Sequence, residues 1–159
     1  MQKTKQAEMI SPPDIPSDWR LLEEADCLVR YPTDWELRKD VPGALFCLLS
    51  GQTSPDDLFR DNVNLVVEPL AKEVPIDRYV SLSISKIDSK YKVTEKKKYI
   101  VGGQEYFHLD LTGEDRLRLS LHIFMKGRKA YILTFTYEPG ESAKIRDEGD
   151  KIMKSFSVK

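Results

Sequence analysis

Between Lys92 and Tyr137, runs of strand length alternate with short turn signals, and this pattern constrains the fold more than any other feature of the chain. The runs cover 92–101, 104–112, 116–125 and 129–137, and they are separated by Gly102-Gly103, Gly113-Glu114-Asp115 and Lys126-Gly127-Arg128. A Gly-Gly pair between extended runs is a two-residue hairpin signal, because both central residues then take positive φ. Parallel neighbours would need a crossover of about a dozen residues or more, so these short connections specify an antiparallel meander. Leu117, Leu119, Leu121, Ile123 and Met125 alternate with Arg118, Ser120, His122 and Phe124, which predicts a leucine face turned to the core. Leu119, Leu121, Leu133 and Phe135 are the expected core residues. The run 130–135 is apolar on both phases and reads as a central strand covered on both faces.

Upstream of the meander the signals are shorter. Residues 1–18 carry Ser11-Pro12-Pro13-Asp14 and Pro16, which disfavour helix and strand alike, and they read as a flexible amino-terminal arm. A single domain is expected over 19–159, with early strands at 19–22, 27–31, 44–49 and 62–70. Ile76, Tyr79, Val80, Ser83 and Ile87 then recur at helical spacing behind Pro75, a favourable residue at a helix start. Ile145, Gly149, Ile152, Met153 and Phe156 form a second helical stripe. Gly149 inside it marks a close approach to the layer beneath, since glycine in a helix interior otherwise costs up to about 1 kcal/mol. These elements predict an α+β fold, an α/β/α sandwich with a central, mostly antiparallel twisted sheet. Two coverings fit: helices on both faces, or a helix on one face and loops on the other.

Composition excludes several classes of function. The chain has 159 residues, is 40% hydrophobic, and balances 25 Lys and Arg against 26 Asp and Glu for a net charge of −1. That balance lacks the basic footprint of a nucleic-acid binder. The apolar runs fall far short of the roughly 18 residues that a membrane-spanning helix needs, so no membrane span is expected. Cys27 and Cys47 are too few for a disulfide framework and lack metal-ligand spacing. They read as buried reduced thiols, with a single cross-strand disulfide as the alternative if their segments pair. The polar start Met1-Gln2-Lys3-Thr4-Lys5-Gln6 leads to no apolar signal core. A cytoplasmic location is expected for the chain as it stands, and a cell-envelope or periplasmic one if a signal has been removed.

A search for chemistry returns little. The sequence holds no phosphate-binding glycine loop, no nucleophile elbow and no paired-histidine or Cys-x-x-Cys motif. The expectation is a protein that is not an enzyme, with no cofactor and no catalytic residues. In Tyr106-Phe107-His108-Leu109-Asp110, the residues Tyr106, His108 and Asp110 share a face of a regular strand. His108 and Asp110 are two ordinary ligands, whereas a transition-metal site takes three or four. A third would have to come from a neighbouring strand, from Glu95 or from His122 if the register brings it opposite. No metal is expected on this basis, and His122 reads as structural or exposed. Lys96-Lys97-Lys98 reads as a device that keeps a sheet edge soluble and unpaired. Trp35 fits either a surface anchor or an aromatic plug at one end of the core. The candidate binding residues are therefore Trp35, Tyr106, His108 and Asp110.

Several ordered segments resemble a known family. Tyr31-Pro32-Thr33-Asp34-Trp35-Glu36 is similar to the "YP-x-x-W" element after the second strand of PsbP-like proteins. Asp61-Asn62-Val63-Asn64-Leu65-Val66-Val67 resembles their "N-V-x-L-v-v" strand, and Asp77-Arg78-Tyr79-Val80 opens the following helix as theirs does. Val101-Gly102-Gly103-Gln104-Glu105-Tyr106 resembles their glycine hairpin, and Lys126-Gly127-Arg128-Lys129-Ala130-Tyr131-Ile132-Leu133-Thr134 their "g-k-a-Y-x-l-T" strand. Ile152-Met153-Lys154-Ser155-Phe156 resembles the closing "i-x-x-S-F". The resemblance runs over about residues 19–158 and extends to the DcrB-like lipoproteins and Mog-type import factors of the Mog/PsbP superfamily. It implies an α/β/α sandwich and, because members are mostly non-catalytic, an accessory or binding protein whose partner is another protein. A bacterial envelope protein, or another bacterial protein of PsbP/DcrB-like type, is the expected setting. A small-ligand or ion-binding protein, or an enzyme with an unrecognised pocket, is the alternative.

Overall fold

Gly102 and Gly103 take φ of +56° and +79° in the computed structural model, the double positive-φ turn expected of the central hairpin. The structure describes residues 7–51, 60–140 and 142–159. The expected arm therefore lies partly outside the described residues, at 1–6. In chain order the strands are β1 Glu8–Met9, β2 Arg20–Glu23, β3 Cys27–Tyr31, β4 Glu36–Arg38, β5 Phe46–Leu49 and β6 Asn62–Pro69. Helix α1 Ile76–Ser85 follows, then the meander β7 Tyr91–Val101, β8 Gln104–Gly113, β9 Arg118–Lys126 and β10 Lys129–Tyr137. Helix α2 Ala143–Ser155 and β11 Ser157–Val158 close the chain.

Among the described residues these strands form two sheets rather than the one that the sequence suggests. The larger has eight strands in the order β1-β7-β8-β9-β10-β6-β5-β4, antiparallel except for the β1–β7 pair. β2 and β3 leave it and join β11 in a three-stranded sheet, where Cys27 lies opposite Val158. Cys47 faces Arg38 and Asn64 in the large sheet. The two segments do not pair, and both cysteines are free and buried.

The two helices cover opposite faces of the large sheet. Tyr79 and Val80 of α1 pack on Phe107, Leu109, Leu111, Ile123 and Ala130. Ile145, Ile152 and Met153 of α2 pack with Leu133 and Phe135, and Val29 and Tyr31 of the small sheet join the same cluster. The Ser142 hydroxyl caps α2 by accepting from the Ile145 N–H at 3.2 Å. At the other end, the Ser155 hydroxyl accepts from the Arg30 N–H at 3.0 Å and so ties the helix to β3.

Two expectations about burial need correcting. Leu133 and Phe135 are fully buried, but Leu119 and Leu121 are only partly so. The polar phase of β9 is the better covered one, with Ser120 at 7%, His122 at 4% and Phe124 at 3% exposure. The reason is coverage: α2 and the small sheet roof that side, whereas α1 is a ten-residue helix on the leucine side. The second correction concerns the arm. Residues 8 and 9 pair with Tyr99 and Ile100 of β7, the Ile10 N–H donates to the Ile100 carbonyl at 3.0 Å, and Ile10 packs on the core. Part of the expected loose arm is thus an edge strand.

The lysine run sits on β7 next to this strand. Lys96 and Lys98 lie over the Phe107 ring, 5.5 and 5.3 Å from its centre. Lys98 also bridges Asp77 of α1 at 3.1 Å and Glu105 at 3.3 Å. It holds the helix to the sheet as well as keeping the strand polar.

Candidate functional site

A two-against-one mismatch in the β7–β8 ladder shapes a polar cleft on the α2 side of the sheet. Val93 lies opposite Leu111 and Glu95 opposite Asp110, so Thr94 is an extra residue, a β-bulge. Its hydroxyl donates to the Asp110 carbonyl at 3.2 Å. Because side chains alternate with period two, one extra residue exchanges the faces of everything beyond it. Tyr91 and Val93 pack on the α1 side, whereas Tyr99 and Val101 pack on the α2 side. Glu95 is delivered to the α2 side by the same shift.

There it meets a cleft of about 400 Å³ walled by β7–β9, by α2 and by Glu8 and Ile10 of the arm. The register sets His108 opposite His122 and Asp110 opposite Ser120. Four side chains form one chain of contacts. The Ser120 hydroxyl donates to Asp110 Oδ1 at 2.9 Å, His108 Nε2 lies 2.9 Å from the same oxygen, and His108 Nδ1 lies 2.9 Å from His122 Nε2. Tyr106 floors the cleft: it is buried, stacked on Phe124 at 5.0 Å between ring centres and set against His122 at 4.5 Å. Arg146, Asp150 and Lys154 of α2 stand on the opposite wall.

Burial and neighbours fix the charge states of His122 and Asp110 within this chain. His122 is pushed down to about 3, first by burial, then by His108 and Lys154, against a weaker opposite pull from Asp110. Asp110 is held at about 2, below the usual carboxylate range, chiefly by its hydrogen bond with His108, with Ser120 adding to it. Burial raises the Tyr106 phenol to about 12. A general base works best with a pKa near the operating pH. Neither Asp110 nor His122 meets that condition, and the Ser120 proton is engaged by a weakly basic carboxylate rather than by an imidazole. The side chains of Glu95, His108 and Asp110 also present ligand atoms within 4.8 Å of one another.

Of the residues expected to form a site, Tyr106, His108 and Asp110 come together here. Trp35 does not: it is 4% exposed and packed in the core, the aromatic plug rather than the surface anchor. His122 is the residue that sequence reasoning placed at the surface or in a structural role. The sequence left the register open: a turn confined to Gly113-Glu114-Asp115 would set Thr112 opposite Arg116, whereas the structure sets Thr112 opposite Arg118 and so His108 opposite His122.

The fold is PsbP-like. No protein-family model and no curated protein sequence matches the chain. The chain is similar to the solution structure of cyanobacterial PsbP (CyanoP) from Synechocystis sp. PCC 6803, with a TM-score of 0.63 and 12% identity over 91% of this chain and 94% of that one. It is also similar to LpqN, involved in cell envelope biogenesis of Mycobacterium tuberculosis, with a TM-score of 0.60 and 11% identity over 88% and 90% of the two chains. A third similar structure is PA94 from Pseudomonas aeruginosa, a protein of unknown function described as a putative regulator. There the TM-score is 0.59 and the identity 14%, over 87% and 96%. Likeness at this level of identity establishes architecture, and function has to be argued from the chain's own surfaces.

Proposed function

We propose that the protein is a non-catalytic accessory protein that binds another protein through the half of its large sheet that α1 leaves bare. The observation that carries this reading is the distribution of apolar residues on the α1 side. The cluster under α1 draws on β7–β10 and includes no residue of β4 or β5. Over β4–β6, Val41 and Val66 are 36% and 37% exposed, and they rim a depression of about 440 Å³ lined in part by Cys47, Leu49, Asn62 and Asn64. Leu45, on the same phase as Cys47 and Leu49, is 41% exposed. Clustered apolar exposure with a polar surround is the character of an interaction surface.

The non-catalytic part of the reading rests on the cleft, where Asp110 and His122 are both held outside the range useful for proton transfer. An envelope setting fits the likeness to LpqN; no helix among the described residues is long and apolar enough to cross a membrane. The test is site-specific photo-cross-linking in host extract, with the probe at Val66 and, as a control, at Leu82, which is 48% exposed on α1. A discrete protein adduct at position 66 and none at 82 is expected. No adduct at 66, or the same adducts at both positions, overturns the proposal.

A further inference from the structure

We propose that Glu95, His108 and Asp110 bind one divalent first-row transition ion, with His122 and Ser120 as the hydrogen-bonded support of its ligands. The site lies on the α2 side of the sheet, so this inference does not depend on the protein-binding surface proposed on the α1 side. Three strands contribute. The Thr94 bulge turns Glu95 onto Asp110, β8 supplies both remaining ligands, and β9 supplies the support opposite each of them. The three ligand atoms already lie within 4.8 Å of one another. Metal–ligand bonds of about 2.0–2.2 Å would draw them to roughly 3–4 Å, a movement within reach of the Glu95 side chain.

The support of the ligands is already in place. His122 is 4% exposed, and its Nε2 lies 2.9 Å from His108 Nδ1, so that ring nitrogen of His108 is engaged by its neighbour on β9. The other ring nitrogen, Nε2, is the one that faces Asp110 Oδ1, at 2.9 Å. A metal-bound histidine ordinarily directs its other ring nitrogen to a hydrogen-bond partner in this way. Ser120, donating to Asp110 Oδ1 at 2.9 Å, orients the second ligand.

One imidazole and two carboxylates favour Zn²⁺ or Mn²⁺ over Mg²⁺ and Ca²⁺, which take oxygen ligands. In the ion-free protein Glu95 is paired with Lys97 at 3.0 Å, an exposed bridge that contributes little and that the ion would replace.

The test is calorimetric titration of chelator-treated full-length protein with zinc chloride. Saturation at about one Zn²⁺ per chain is expected. Glu95→Gln, a change at a half-exposed side chain that leaves the fold intact, should weaken binding about tenfold or more. Lys97→Gln should tighten it by freeing Glu95, and His122→Gln should weaken it about 10–100-fold as an outer-shell change does. Absence of saturable binding, or binding indifferent to both Glu95→Gln and His108→Gln, overturns the assignment.

Discussion

Gly149 of α2 lies directly on the ring of Phe135 in β10, so close that a Cβ at position 149 would stand 2.2 Å from Phe135 Cζ. The missing side chain lets the helix sit down on the sheet, and Phe135 beneath it is fully buried. Gly149→Ala gains up to about 1 kcal/mol of helix propensity, but it forces a methyl into a ring that has no free space to move into. Overpacking of this kind costs about 1–3 kcal/mol or more. A net loss of stability is expected in urea denaturation. The double variant with Phe135→Leu should lose less than the two single losses added together, because one contact links them. An Ala variant as stable as the parent would mean that the helix does not rest on the ring.

The close approach at Gly149 was legible in the sequence because a glycine inside an apolar helical stripe weakens the helix unless the layer beneath comes too near for a side chain. The meander was legible for a similar reason: Gly102-Gly103 and Gly127 mark turns that side-chain-bearing residues adopt poorly. The short strands were not. β1, β4 and β11 have two or three residues each and exist through pairing with distant partners, which local pattern does not encode. Nor did the pattern show that β2 and β3 leave the large sheet. The cleft was half legible. Tyr106, His108 and Asp110 follow from simple alternation, but Tyr91, Val93, Tyr99 and Val101 share one phase in the sequence and would share one face of a regular strand. The bulge at Thr94 splits them and hides Glu95 from any period-two reading.

The amino-terminal arm should contribute measurably to stability. Ile10 packs on the core, and β1 adds backbone hydrogen bonds to β7. Burying an isoleucine side chain fully contributes about 1.5–3 kcal/mol, and Ile10 is partly buried. Removal of residues 1–16 should therefore lower the melting temperature by several degrees and raise amide exchange at Tyr99 and Ile100. An unchanged melting temperature would show the arm to be dispensable.

Unequal coverage of the two sheet faces predicts unequal losses from two leucines. Leu133 is fully buried under α2, and Leu133→Ala should cost about 2–5 kcal/mol. Leu121 is partly exposed beside α1, so Leu121→Ala should cost less, on the order of 1–2 kcal/mol. Chemical denaturation of both variants checks the order, and equal losses would contradict the difference in covering.

The paired histidines should make the ion-free protein sensitive to acid in a window set by His122. In the fold this ring is held at about 3, against 6.5 for the free side chain, so between those values the unfolded chain binds a proton that the native chain refuses. Stability then rises with pH across that interval and falls on acidification from about pH 6.5 downward, by at most about 1.4 kcal/mol per pH unit for one group. Asp110, held below its ordinary value of 3.8 by His108, adds a second loss at lower pH as its carboxylate becomes protonated. Glu148 and Asp150 work in the opposite sense, because burial raises their carboxyls above 4.5 and 3.8 and their protonation favours the native state. A comparison of the parent with His122→Gln isolates the histidine from these carboxylates. In the presence of chelator, the parent should lose stability to urea between pH 7 and pH 4 more steeply than the variant does. Parallel profiles for the two proteins over that range would show that His122 is not held neutral by the fold.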